Sequence, residues 1–147
     1  MTLADVLAAK GRGVVTLWTT RRLEDAIRLF DDHHIAAVVI VDPERRPLGI
    51  IPEREAVHAI ARHGASALSL GVTHVMISPP PMCTPDVRVS DALRRMTNDR
   101  IRHLIVMNEE EMLGVVSIGD LVKVRLDDAE VEGRVLREMA LTHLAND

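Results

Sequence analysis

Apolar residues fall on a helical spacing twice in this chain, each time ahead of an uninterrupted apolar run. Leu23, Ala26, Ile27 and Phe30 recur at intervals of three and four, as do Val89, Ala92, Leu93 and Met96, the period of an amphipathic helix. The runs that follow, Val38–Val41 and Leu104–Met107, are rich in β-branched residues and end in polar turns at Asp42–Pro47 and Asn108–Glu111. They predict buried strands. Each turn leads into a second short strand, Leu48–Ile51 or Leu113–Val116, which runs straight into another helix, from Glu53 to Arg62 and from Asp120 onward. With Val14–Leu17 and Met82–Thr84 as short strands ahead of the first helices, the unit is β-α-β-β-α and the class α/β, of mixed α+β type.

The two units are copies. Leu23-Glu24-Asp25-Ala26-Ile27-Arg28 aligns with Val89-Ser90-Asp91-Ala92-Leu93-Arg94 at a shift of 66, and Leu48-Gly49-Ile50-Ile51 with Leu113-Gly114-Val115-Val116 at 65. The one-residue change falls in the strand-strand turn, where length is cheap. A unit of about fifty residues is too small to bury a good core alone, so the copies are expected to pack together. The expected organisation is an N-terminal helix over 1–12, repeats over 13–68 and 75–126, and a helical extension over 127–147. Gly64–His74 is the expected connector, and Ser78-Pro79-Pro80-Pro81 a stiff lead-in to the second repeat. Val122, Leu126, Ala129, Leu136 and Ala140 share a stripe on the last helix, Gly133 among them, and one repeat pair offers nothing to cover it. A homodimer is expected, or else a fold-back onto the same chain.

Composition narrows the function. The net charge of −4 and the scarcity of aromatics, with no Tyr, argue against nucleic acid as a partner. The longest apolar run, Ile35–Val41, is far too short to span a bilayer. The first residues lack the apolar stretch of a secretory signal and the single Cys83 allows no internal disulfide, so a cytoplasmic setting is expected. Cys83 reads as a small buried hydrophobe, and His33-His34 has no supporting cluster for a metal. No acid-base pair, activated nucleophile or glycine-rich phosphate loop is evident, so no enzyme activity is expected and no cofactor is required.

The doubled unit, its Ile-x-x-Leu-hydrophobic-Val strand and above all Gly114-Val115-Val116-Ser117-Ile118-Gly119-Asp120 resemble the CBS (cystathionine β-synthase) domain, over Val14–Val124 as a tandem pair. The opening Asp5-Val6-Leu7-Ala8-Ala9-Lys10-Gly11 is similar to the start of small bacterial proteins made of this pair alone. The resemblance implies a cleft for an adenosine-containing ligand: AMP first, with ADP, ATP or NAD as alternatives. It makes Asp120 the ribose holder, with Ser117 and Gly119 beside it at the helix start and Thr84 from the preceding strand. A carboxylate can accept both ribose hydroxyls; equally, Ser117 can be an N-cap and Asp120 a first-turn carboxylate.

Arg102-His103 stands where the gamma subunit of AMP-activated kinase, which carries the same repeats, has a phosphate-contacting His-Arg pair. The order is reversed here, so either side chain can be the one that faces the cleft. In the first repeat Pro52 replaces the Ser and Glu55 the Asp, and Ala36-Ala37 stands where the second has Arg102-His103. Arg54 and Glu55 are therefore weaker candidates. The implied function is regulatory ligand sensing, with a regulated protein partner possible. The alternative is a structural or protein-interaction module with no nucleotide.

Overall fold

A computed structural model describes residues 1–11 and 13–146, with side chains to residue 143. Arg12 and Asp147, the last residues of the two expected terminal segments, lie outside the described residues. The elements are α1 (Leu3–Lys10), β1 (Thr16–Trp18), α2 (Leu23–His33), β2 (Ala37–Val41), β3 (Pro47–Pro52), α3 (Glu53–His63), β4 (Met82–Cys83), α4 (Val89–Asp99), β5 (His103–Asn108), β6 (Glu111–Ser117) and α5 (Ile118–Asn146). The β-α-β-β-α repeat is thus present twice.

The copies match in register. β1 runs parallel to β2 with Thr16 opposite Val39, and β4 parallel to β5 with Met82 opposite Ile105. Each central strand pairs antiparallel with the next, giving two three-stranded sheets. Both first helices stop the same way, at a residue in the left-handed region: His34 (φ 52°) after α2 and Arg100 (φ 54°) after α4.

The strand periodicity explains why the central runs are apolar throughout. Val38 and Ile40 enter the first repeat's own core, while Val39 and Val41 face the other way and meet Ile50 and Ile105 between the sheets. A strand covered on both faces has no polar side to show.

Gly64–His74, the expected connector, forms 3₁₀ turns at Gly64–Ser69 and Val72–His74, and buries Ala67 and Val72 in the first repeat's core. Helix α1 meanwhile packs on the second repeat, burying Leu3, Val6 and Leu7 against Val89, Leu104 and Val116. Matched glycines mark the exchange. A Cβ on Gly114 would lie 2.6 Å from Leu7 Cδ2, and one on Gly49 would overlap the Met76 side chain. Each repeat is therefore covered by the segment that leads the other, so neither half closes its core alone. Pro52 is the N-cap of α3 and the last residue of β3.

No break separates the second repeat from the extension at 126/127. α5 is one helix of 29 residues, about 43 Å long at 1.5 Å per residue. Its stripe does not fold back, since Val122, Leu126 and Leu136 are 43%, 59% and 66% exposed. Among the described residues, no helix is long and apolar enough to cross a membrane.

Candidate functional site

The junction of β6 and α5 builds the site. Ser117 ends the strand, and its Oγ accepts the Asp120 N–H at 3.1 Å while Asp120 Oδ2 accepts the Ser117 N–H at 2.9 Å. This reciprocal pair is a capping box, which satisfies donors that a helix start leaves open. The same Oδ2 also accepts Lys10 Nζ at 2.7 Å, and Lys10 donates further to the Val115 carbonyl at 2.8 Å. Oδ1 takes no donor from the described residues. Burial alone would raise the Asp120 pKa, but the Lys10 ammonium and the Ser117 N–H together hold it below the ordinary 3.8. Asp120 is a carboxylate at neutral pH.

Ser117 and Asp120 open into a cavity of about 350 Å³ whose opposite wall comes from the first repeat: Val14, Val15, Ile35, Ala36 and Ala37. Lys10, Gly13, His34, His103 and Val115 complete it. A second cavity, about 330 Å³, lies beside the start of α3, lined by Pro52, Glu53, Arg54, Ile101, Arg102 and His103 with an apolar floor that includes Ile50 and Ile77. Ala36 and His103 belong to both.

The expected site residues therefore divide. Asp120, Ser117 and His103 share one cavity, whereas Arg54 and Arg102 join His103 in the other. Thr84, Gly119 and Glu55 line neither. Thr84 is exposed past the end of β4 and hydrogen-bonds to Asp86. Glu55, one turn into α3, is half-buried. Thr84 lies outside the cavity, whose lining from its own repeat is His103, Val115, Ser117 and Asp120.

His103 is the polar side chain common to both cavities. Its Nδ1 is buried and has no hydrogen-bond partner among the described residues. Burial first, then the Lys10 charge, hold its pKa below the ordinary 6.5; Asp120 pulls the other way, and Arg102 and Arg54 add to the depression. His103 is neutral at physiological pH inside a ring of cations. Cys83 fits its structural reading: burial pushes the thiol up to about 11, against the pull of Arg95, so little thiolate forms at neutral pH. Among the described residues no cluster of three or more His, Cys, Asp or Glu could hold a metal.

Sequence reasoning missed Lys10, Val14, Val15 and Ile35 as lining residues. Lys10 lies 110 positions from its partner. The one local sign was its place in the Asp5–Gly11 segment, a few residues ahead of the valines that form the cavity wall.

The CBS domain family model matches residues 3–62 and 72–127. The chain belongs to the CBS domain family. A mitochondrial CBS domain-containing protein of Arabidopsis thaliana is 35% identical over 130 residues, covering 83% of this chain and 63% of that protein. An Acidianus ambivalens protein is 32% identical over 106 residues, again with 63% of its length covered. The chain thus spans less than two thirds of these relatives. The crystal structure of a CBS-domain containing protein from Agrobacterium tumefaciens superposes with a TM-score of 0.82 at 35% identity, covering 84% of this chain and 92% of that one. A CBS domain protein from Pyrobaculum aerophilum, solved in complex with AMP, shares the fold with a TM-score of 0.73 at 24% identity, covering 82% of this chain and 89% of the other.

Proposed function

We propose that this CBS pair senses an adenosine nucleotide in the Asp120 cavity and acts as a homodimeric regulatory module with no chemistry of its own. The observation that carries this reading is a carboxylate at a helix start, with Oδ1 free of donors from the described residues, facing an apolar wall across a cavity of about 350 Å³, within the size range of small-ligand sites. The carboxylate suits ribose hydroxyls, and Val14, Val15 and Ile35 offer a dry surface for a base. Lys10 suits phosphate. AMP is the first ligand to try, given the AMP complex of the Pyrobaculum protein, with ADP, ATP and NAD beside it. The first-repeat cavity, with Pro52 at its helix start, is the weaker site; its Arg54 and Arg102 can reach a phosphate that extends past His103.

The dimer reading rests on exposed apolar residues at matched positions. Val57 on α3 and Val122 on α5 are 61% and 43% exposed, and Leu126 and Leu136 continue the α5 face. A cytoplasmic regulatory role, acting on a partner protein through a shift between two packings, follows from this reading.

One observation favours the rival, a structural or interaction module with no nucleotide: Lys10 already neutralises Asp120. A thermal melt with AMP, ADP, ATP and NAD separates the two. A ligand at one hundred times its Kd adds about 2.7 kcal/mol, and no shift with any of the four at millimolar concentration supports the rival.

A further inference from the structure

We propose that Lys10 makes the Asp120 cavity select ligands that carry an anionic group as well as a vicinal diol, by moving from the carboxylate to that anion on binding. This inference rests on the nucleotide reading and adds to it a residue that sets which ligands are taken.

Lys10 is held in place by its helix. Leu3, Val6 and Leu7 are buried in the second repeat, the Leu3 and Ala4 N–H groups donate to the Val87 and Pro85 carbonyls, and Gly11 (φ 98°) ends the helix directly after Lys10. The Cα is therefore fixed beside the cavity, while the four-carbon stem lets the 40%-exposed side chain change partner. Two contacts occupy the ammonium, Asp120 Oδ2 and the Val115 carbonyl.

A diol that engages Asp120 with both hydroxyls competes with Lys10 for Oδ2. If the ligand is neutral, the ammonium loses its carboxylate next to a histidine already depressed by Lys10, Arg102 and Arg54, with only a carbonyl left to hold. A ligand that brings its own negative charge replaces what it takes. The cavity thus penalises a nucleoside and accepts a nucleotide. Among the described residues Lys10 is the one Lys or Arg that lines it, alongside the imidazoles of His34 and His103.

The test is calorimetric titration of the full chain with AMP and with adenosine, in wild type, Lys10→Met and Lys10→Arg. Wild type is expected to prefer AMP by about tenfold or more, which is about 1.4 kcal/mol. Lys10→Met should shrink that preference to about threefold or less, with adenosine bound no more weakly than by wild type, while Lys10→Arg retains most of it. An unchanged AMP-to-adenosine ratio in folded Lys10→Met overturns the inference and leaves the nucleotide reading standing. Should Lys10→Met not fold, equal affinity of wild type for AMP and adenosine overturns it as well. Binding of neither compound, nor of ADP, ATP or NAD, to wild type brings down the nucleotide reading and this inference with it.

Discussion

Replacing Asp120 with Ala removes the acceptor for two donors at once. The Ser117 N–H loses a charge-assisted hydrogen bond at 2.9 Å, worth about 1.5 kcal/mol. The Lys10 pair, with side chains 40% and 27% exposed, adds only about 0.5 kcal/mol because solvent screens it. The sum of about 2 kcal/mol corresponds to a fall in melting temperature of about 4–8 °C for a domain of this size. Folding survives, since Asp120 contributes no side chain to the buried core. The carboxyl pKa is held below 3.8 in the fold, so this stability is present above 3.8 and is lost as pH falls through the folded value. Scanning calorimetry of both proteins should therefore show a gap at pH 7 that narrows as pH falls below 3.8 toward the folded value. With AMP present the gap at pH 7 should widen by at least about 1.5 kcal/mol, the worth of the ribose hydrogen bonds. Identical melting of the two proteins at pH 7 without ligand would refute the capping-box account. A gap that AMP does not widen would remove Asp120 from the binding site.

Gly114→Ala forces a methyl to 2.6 Å from Leu7 Cδ2 and should cost about 1–3 kcal/mol in a denaturant titration; a neutral result would show that α1 does not press on β6. His103 is held below 6.5 in the fold, so stability should be full above 6.5 and decline as pH drops from there toward the folded value; His103→Gln should flatten that part of a pH-stability curve. Light scattering at micromolar concentration should give about twice the 16.3 kDa chain mass, and truncation before Asp128 should weaken the dimer while leaving nucleotide affinity largely intact. A monomeric mass would defeat the dimer reading.

The repeat made most of the architecture legible. Strand and helix order, the antiparallel pairing after each polar turn and the long last helix all follow from apolar spacing and self-alignment, because those patterns are local. Ser117 and Asp120 were legible for the same reason, as the two ends of one helix start. What was not legible lies across the repeats. The wall opposite Asp120 is supplied by Val14, Val15 and Ile35 of the other copy, and no spacing rule links residues about a hundred positions apart. The exchange of leading segments was hidden too: α1 precedes the first repeat in sequence but covers the second, as the burial of Leu3, Val6 and Leu7 and the close approach of Leu7 to Gly114 show.

The same exchange bears on how a bound ligand would be felt elsewhere. A ligand shifts an equilibrium only through contacts that differ between two states. Here the contact that must change is Lys10 to Asp120, and each end of it belongs to a helix: α1, which covers the second repeat's core, and α5, which carries the exposed stripe out to Leu136 and beyond. Taking Asp120 away from Lys10 loosens one of the ties between these two helices, while Leu3, Val6 and Leu7 hold the body of α1 in place. The released freedom is therefore confined to the end of α1 and the chain that follows it, Gly13 to Val15, which is itself a wall of the cavity. On the nucleotide reading, ligand occupancy is coupled to the packing of this segment, and by linkage a partner that grips it in one arrangement alters nucleotide affinity by the same factor that nucleotide alters its own.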